Sequence, residues 1–250
     1  MSNFIQTSVN NGILEITLNR PDKKNALTNA MYADMVSALM SAKTDDDIKV
    51  VLFSAVGDYF SAGNDLADFL AIARDGGDFE KAQGVAFIRT LSDYPKPIVC
   101  AVTGAGVGIG TTLLLHADLV YVQKSARLST PFVNLALVPE ASSSLLLTER
   151  IGHVRAFEML VMGESITGQT AHEWGLANAC FETADEVLAT ARQKAQHLAK
   201  LPAIALLQTK ALMKNTNAIQ AKMEQELVLF NERLKSDEAR AVFAQFFNKQ

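Results

Sequence analysis

Glu140 stands in the string Leu137-Val138-Pro139-Glu140-Ala141-Ser142-Ser143-Ser144, between an apolar run and a serine cluster able to open a helix. A carboxyl group in apolar surroundings holds its proton more tightly than in water, which suits it to act as a general acid or base near neutral pH. A glutamate at a helix start is otherwise a solvated partner of the helix dipole, and the string by itself leaves both readings open. Two loops of small residues offer complementary chemistry. Thr103-Gly104-Ala105-Gly106-Val107-Gly108-Ile109-Gly110 follows an apolar run and precedes a helix, where free backbone N–H groups attract an anion or a developing oxyanion. The same glycines also permit close packing of helix on strand. Tyr59-Phe60-Ser61-Ala62-Gly63-Asn64-Asp65-Leu66 has a similar character, with Asp65 placed to cap the helix after it.

Other chemistries are poorly supported. The glycine spacing is GxGxGxG rather than GxGxxG, and no acid follows about twenty residues on, so a dinucleotide turn does not fit. There is no GxSxG elbow, Walker A loop or HExxH pair. His116, His153, His172 and His197 occur singly, and Cys100 and Cys180 lie far apart, so neither a metal site nor a disulfide framework is expected. The 250 residues are 49% apolar and 20% charged with a net charge of −4, which favours neither nucleic acid nor a membrane surface as a general partner. Lys23-Lys24 is a local basic pair able to meet an anionic ligand. The N-terminal residues lack a signal-peptide pattern and no apolar run reaches membrane-spanning length, so a cytoplasmic protein is expected.

These loops must be carried by alternating strands and helices. Phe4–Val9 and Ile13–Leu18, joined by Asn10-Asn11-Gly12, read as a β-hairpin. Thr28 caps a helix with Met31, Met35 and Leu39 on its apolar face. Val50–Phe53, Ile98–Val102 and Leu119–Val122 read as buried strands. Helices are expected over Leu66–Arg74, Phe79–Leu91 and around Leu113. After Pro139 the expected helices are 144–151, 154–162, 169–174, 185–198, 203–214, 219–235 and one near the end. Thr183 and Glu186 form a capping box. The pattern is an α/β body over residues 1–195 and a helical segment over 196–250, with no linker between them.

In order along the chain, Asn19-Arg20-Pro21, Asn25-Ala26-Leu27, Phe60–Leu66, Lys96-Pro97-Ile98, Gly104–Gly110, Ala117-Asp118, Thr130-Pro131-Phe132 and Gly175-Leu176-Ala177 resemble the crotonase (enoyl-CoA hydratase/isomerase) superfamily over nearly the whole length. The resemblance implies an α/β spiral of ββα units, a homotrimer or dimer of trimers with Ala203-to-Phe247 facing the trimer, and an acyl-CoA thioester as substrate. It maps the two oxyanion-holding N–H groups to Ala62 and Ile109. It assigns coenzyme A contacts to Lys23, Asn25, Ala26 and Leu27. Further substrate contacts fall on Ser61, Gly63, Asn64, Asp65, Leu66, Gly108, Phe132 and Leu135, with Ala67-to-Gly84 lining the acyl end. No cofactor beyond the coenzyme A of the substrate, and no metal, is implied.

Hydratases of this family use two glutamates around the substrate, and this chain has Thr112 and Phe132 at those positions, which disfavours water addition. Glu140 occupies the place of the single glutamate in the Δ3,Δ2-enoyl-CoA isomerases of fatty-acid β-oxidation. The resemblance therefore implies double-bond transfer with Glu140 as acid–base. Thioester hydrolysis or other enolate chemistry, and a non-catalytic acyl-CoA-binding or protein-interaction module, are the alternatives.

Overall fold

The computed structural model describes residues 3–65, 67 and 82–247. The helix expected over Leu66–Arg74, the start of the one expected over Phe79–Leu91, Leu66 as a ligand contact, and most of the Ala67-to-Gly84 segment lie outside these residues.

Asn11 and Gly12, both at positive φ, turn β1 (Ile5–Asn10) back onto β2 (Ile13–Leu18) as the expected hairpin. Helix α1 (Asn29–Thr44) starts where the Thr28 hydroxyl accepts the Met31 N–H, and it buries Met31, Tyr32, Met35 and Leu39. Three further strands, β3 (Val50–Ala55), β5 (Ile98–Val102) and β7 (Leu119–Gln123), pair in parallel beside β2. With β10 (Ala179–Phe181) at the edge, the order of this sheet is β1-β2-β3-β5-β7-β10. Parallel strands need cover on both faces, and these have it. Leu14, Ile16, Val51, Phe53, Cys100, Val102, Val120 and Val122 join the main core. Their alternates Ile13, Val50, Leu52, Val99, Ala101 and Tyr121 pack on α7 (Ala184–Ala199) through Val187, Ala191 and Ala195.

β3, β5 and β7 are each followed at once by a short strand in a second sheet. β4 (Tyr59–Ser61), β6 (Ala105–Val107) and β8 (Arg127–Ser129) run parallel there, and β9 (Ile166–Thr167) closes the edge antiparallel. The crossing at Gly104 requires glycine: φ is 90° and an added Cβ would lie 1.9 Å from the Asp58 carbonyl oxygen. Two such crossings are followed by helix, after β4 by α2 (Gln83–Ser92) and after β6 by the four-residue α3 (Ile109–Thr112). The glycine run is therefore not one loop as expected, because its middle is β6.

From α4 (Ser143–Ile151) onward the chain is mostly helical: α5 (His153–Phe157), α6 (Gly168–Glu173), α7 with its Thr183–Glu186 capping box, α8 (Ala203–Met213), α9 (Thr216–Leu234) and α10 (Asp237–Phe247). Residue 195 falls within α7, which packs on the sheet, so the helical segment proper begins with α8. That helix buries none of its residues, and Ile204, Leu212 and Met213 are 74%, 88% and 83% exposed. Among the described residues, no helix is long and apolar enough to cross a membrane. Cys100 and Cys180 carry no disulfide.

Candidate active site

The glycine at the end of β6 sets the first half of the site. Gly108 adopts φ 54° and ψ −120°, and space is open where its Cβ would be. Its carbonyl accepts the N–H groups of Thr111 and Thr112 at 2.8 and 2.9 Å, which starts α3. Ile109 is the first residue of that helix, and its N–H has no acceptor among the described residues, as a helix start dictates.

The second half comes from the loop after β4. Its Ser61 hydroxyl donates to Asn25 O at 2.9 Å and accepts the Gly63 N–H at 3.1 Å. The Ala62 N–H, expected to hold an oxyanion, instead donates to Lys24 O at 2.9 Å and is spent. Asp65 N–H donates to Leu27 O at 2.9 Å. The N–H left over is that of Asn64, which has no acceptor among the described residues. Glycines bring the two halves together: a Cβ added to Gly63 would lie 3.0 Å from Val107 O, and one added to Gly110 would lie 2.6 Å from Ser61 O. Of the expected Ala62–Ile109 pair, only the Ile109 N–H is free among the described residues, and Asn64 supplies a second free N–H.

Glu140 reaches the same place from the other side. It is 4% exposed, and its Oε1 accepts the Thr112 hydroxyl at 3.2 Å, one helical turn beyond Ile109. Burial pushes its carboxyl up to about 8, the charge of nearby Glu226 adds to the rise, and the Thr112 hydrogen bond opposes it. Tyr32 closes the ring: its hydroxyl donates to Asn64 Oδ1, and its ring meets Phe87 with centroids 5.6 Å apart. Burial raises the phenol well above its ordinary range, and the charge of Glu140 contributes, which places the two groups within electrostatic reach.

The Glu140 segment is held in an unusual shape. Ala136, Ala141 and Ser142 all have φ between 56° and 61°, a left-handed conformation that side chains other than glycine rarely adopt. External bonds impose it. Buried His116 donates from Nε2 to Ala141 O at 2.9 Å. Burial, with help from the Lys214 charge, drops this imidazole to about 3, so it is neutral. The histidine is therefore structural, as its isolation in the sequence suggests.

The remaining expected contacts divide. Asn25 is fully buried at φ 52°, accepts the Arg20 N–H at 2.7 Å, and donates to Val56 O and Tyr59 O at 2.9 and 2.7 Å. It shapes the loop and has nothing left for a ligand. Leu27 and Ser61 are likewise buried within the fold. Asp65 pairs with Arg20 at 2.7 Å and accepts the Ala67 N–H at 3.0 Å. Lys23 is exposed and Ala26 half-buried, so both are open to a ligand. Gly63 and Gly108 are needed for their backbone. Phe132 is 6% exposed, and Leu135 is half-buried against the core. Among the described residues, no group of three or more His, Cys, Asp or Glu is placed to hold a metal ion.

Sequence reasoning missed Tyr32, Glu226 and the Asn64 N–H. A signal existed for Glu226: it lies within the stripe Ile219, Met223, Leu227, Phe230 and Leu234, the buried face of α9, where a solvated glutamate has no place. Buried Tyr32 must give its hydroxyl a partner, but nothing in the sequence names Asn64.

The profile of the enoyl-CoA hydratase/isomerase family matches residues 8–250. Enoyl-CoA delta isomerase 2 of Rattus norvegicus is 39% identical over 235 residues, which is 91% of this chain and 59% of the rat protein. The chain thus spans less than two thirds of that relative. The 2,3-dehydroadipyl-CoA hydratase of Escherichia coli is 33% identical over 220 residues, 87% of this chain and 85% of its own. The solved structure of Pseudomonas aeruginosa OdaA superposes with a TM-score of 0.93 at 42% identity, covering 98% of this chain and 99% of that one. With both glycine loops, the ββα repeat and the match along the chain in agreement, this protein belongs to the enoyl-CoA hydratase/isomerase, or crotonase, family.

Proposed function

We propose that the chain is a Δ3,Δ2-enoyl-CoA isomerase with Glu140 as its acid–base. The observation that carries this reading is a buried carboxyl hydrogen-bonded by Thr112 one helical turn from the free Ile109 N–H. Thr112 and Phe132 leave no carboxyl group at either position where the family's hydratases activate water.

In the reaction, the thioester oxygen receives the N–H groups of Asn64 and Ile109. These bonds strengthen as the carbonyl becomes an enolate, so they lower the barrier rather than only binding substrate. Glu140 takes a proton from C2. The C3–C4 double bond shifts to C2–C3 as Glu140 returns the proton to C4, so no water, redox group or metal enters the balance. Phe132, Leu135 and Leu137, apolar residues of the same segment that pack into or against the core, keep water from the carboxyl and so keep it basic. Lys23 and Ala26 face the coenzyme A portion, and the exposed apolar residues of α8 join copies into a homotrimer or dimer of trimers.

The test is to follow the ultraviolet absorbance of the conjugated product from 3-hexenoyl-CoA. A rise that depends on Glu140 supports the reading. Release of free thiol would replace it with thioester hydrolysis, and neither signal, with the ester still bound, with a non-catalytic acyl-CoA binder.

Because Glu140 must be ionised to accept the C2 proton and titrates near 8, about a tenth of it is in the active form at pH 7. The expected kcat/KM rises about tenfold per pH unit below that value and levels off above it. Replacing Thr112 with Val removes a hydrogen bond that favours the ionised carboxylate. The inflection in the pH profile then moves to higher pH and the rate at pH 7 falls. An unmoved inflection would show that the bond does not form in solution.

A further inference from the structure

Helix α9 grips the Glu140 segment at three points. Arg233 Nε donates to Ala136 O at 3.1 Å, the Ser142 hydroxyl donates to Ile219 O at 2.7 Å, and Glu226 takes Ser144. The third contact is the unusual one. Glu226 is 6% exposed, and its Oε1 accepts both the Ser144 N–H, at 2.9 Å, and the Ser144 hydroxyl. Its Oε2 is buried without a hydrogen-bond partner among the described residues. A carboxylate placed among Met223, Leu227 and Phe230 costs stability through desolvation, and an apolar residue there would serve packing better.

We propose that Glu226 is the positioning residue of this site, anchoring the Glu140 segment through Ser144 and holding a negative charge against which Glu140 titrates. The inference rests on the reading of Glu140 as the acid–base. Two desolvated carboxyl groups within electrostatic reach do not ionise together, and the one with more donors ionises first. Glu226 accepts two hydrogen bonds and Glu140 one. Burial raises the Glu226 carboxyl too, but the Ser144 hydrogen bonds oppose that rise, so of the pair Glu226 ionises first and its charge adds to the upward push on Glu140.

The other groups facing the pair do not reverse this order. Tyr32 on α1 is neutral, and His116 is neutral. Lys222 on α9 favours the charged form of Glu226 and donates to Gln225. Arg233 is directed at Ala136 O and Glu238.

The test compares the full-length wild type with Glu226→Gln and Glu226→Asp. Gln keeps an oxygen for Ser144 but carries no charge, whereas Asp keeps the charge but retracts by one methylene. The Glu140 carboxyl is followed by 13C NMR in the substrate-free protein, with Glu140→Gln to assign the signal, and turnover is followed separately across pH. In Glu226→Gln the Glu140 midpoint is expected at lower pH than in the wild type, with the inflection of kcat/KM moving with it. In Glu226→Asp the midpoint stays high while kcat falls, because the Ser144 anchor is loosened. A Glu140 midpoint unmoved in Glu226→Gln overturns the inference, as does a midpoint that falls equally in Glu226→Asp. Since the NMR titration needs no turnover, it judges Glu226 even if the protein proves not to be an isomerase.

Discussion

Glu140→Gln is expected to lose at least about 10²–10⁴-fold in turnover of a 3-enoyl-CoA, the range over which one positioned acid–base acts, while binding of the thioester is nearly unchanged. Gln fills the same space and can still accept the Thr112 hydroxyl, so the loss reports proton transfer rather than collapse of the site. A second measurement on the same variant needs no substrate. In the folded protein Glu140 holds its proton to about pH 8, against 4.5 for an ordinary glutamate. Below 4.5 the carboxyl is protonated in both states and costs nothing. As pH rises from 4.5 towards 8 the unfolded chain ionises while the folded one cannot, and stability falls. Glu140→Gln escapes this penalty. Its melting temperature should match the wild type near pH 4.5, exceed it increasingly up to pH 8, and hold a constant advantage above. Full activity in the variant would remove Glu140 from the mechanism, and a pH-independent stability difference would mean the carboxyl is not desolvated.

The second large effect concerns a donor that no side-chain change can reach. Ile109→Pro deletes the free N–H at the first position of α3, where proline's φ suits a helix and its missing N–H breaks no internal bond. The preceding Gly108, at ψ −120°, is clear of the α region that proline disfavours in its neighbour. Removing one oxyanion donor costs about 10²–10³ in kcat. Ile109 is 2% exposed, so the substitution also loses packing, and Ile109→Ala is the control because it loses packing and keeps the donor. The proline variant should be far slower than the alanine variant at similar stability. Equal rates would mean that the thioester oxygen is held elsewhere.

Much of the architecture was legible because it is written locally. The Asn11-Gly12 turn, the Thr28 cap, the capping box at Thr183 and the continuous apolar runs of β3, β5 and β7 each follow from a few neighbouring residues. What escaped was set by partners distant in sequence. Ala105-Gly106-Val107 reads as loop until β4 and β8 arrive on either side of it. Ala62 looks like a free donor until Lys24 O takes its N–H, and Asn25 looks like a ligand contact until Val56 and Tyr59 use its amide. The burial of Glu140 was legible from its apolar string. Its neighbours were not, because Tyr32 and Glu226 come from helices whose own patterns say only that those faces are buried.

The grip of α9 on the Glu140 segment also has a consequence in time. Ser144 and Glu226 are 82 residues apart, so a chain emerging from the ribosome exposes Glu140 well before the helix that fixes its surroundings has been made. Until α9 docks, Ser142 lacks the Ile219 carbonyl and Ser144 lacks Glu226. The left-handed stretch at Ala141-Ser142 then keeps the His116 bond to Ala141 O but not its anchors on the helix, and Glu140 lacks part of its cover. Under the proposed mechanism, assembly itself completes the acid: a nascent or partly folded chain can hold both glycine loops and still lack the anchored, buried carboxyl that proton transfer requires.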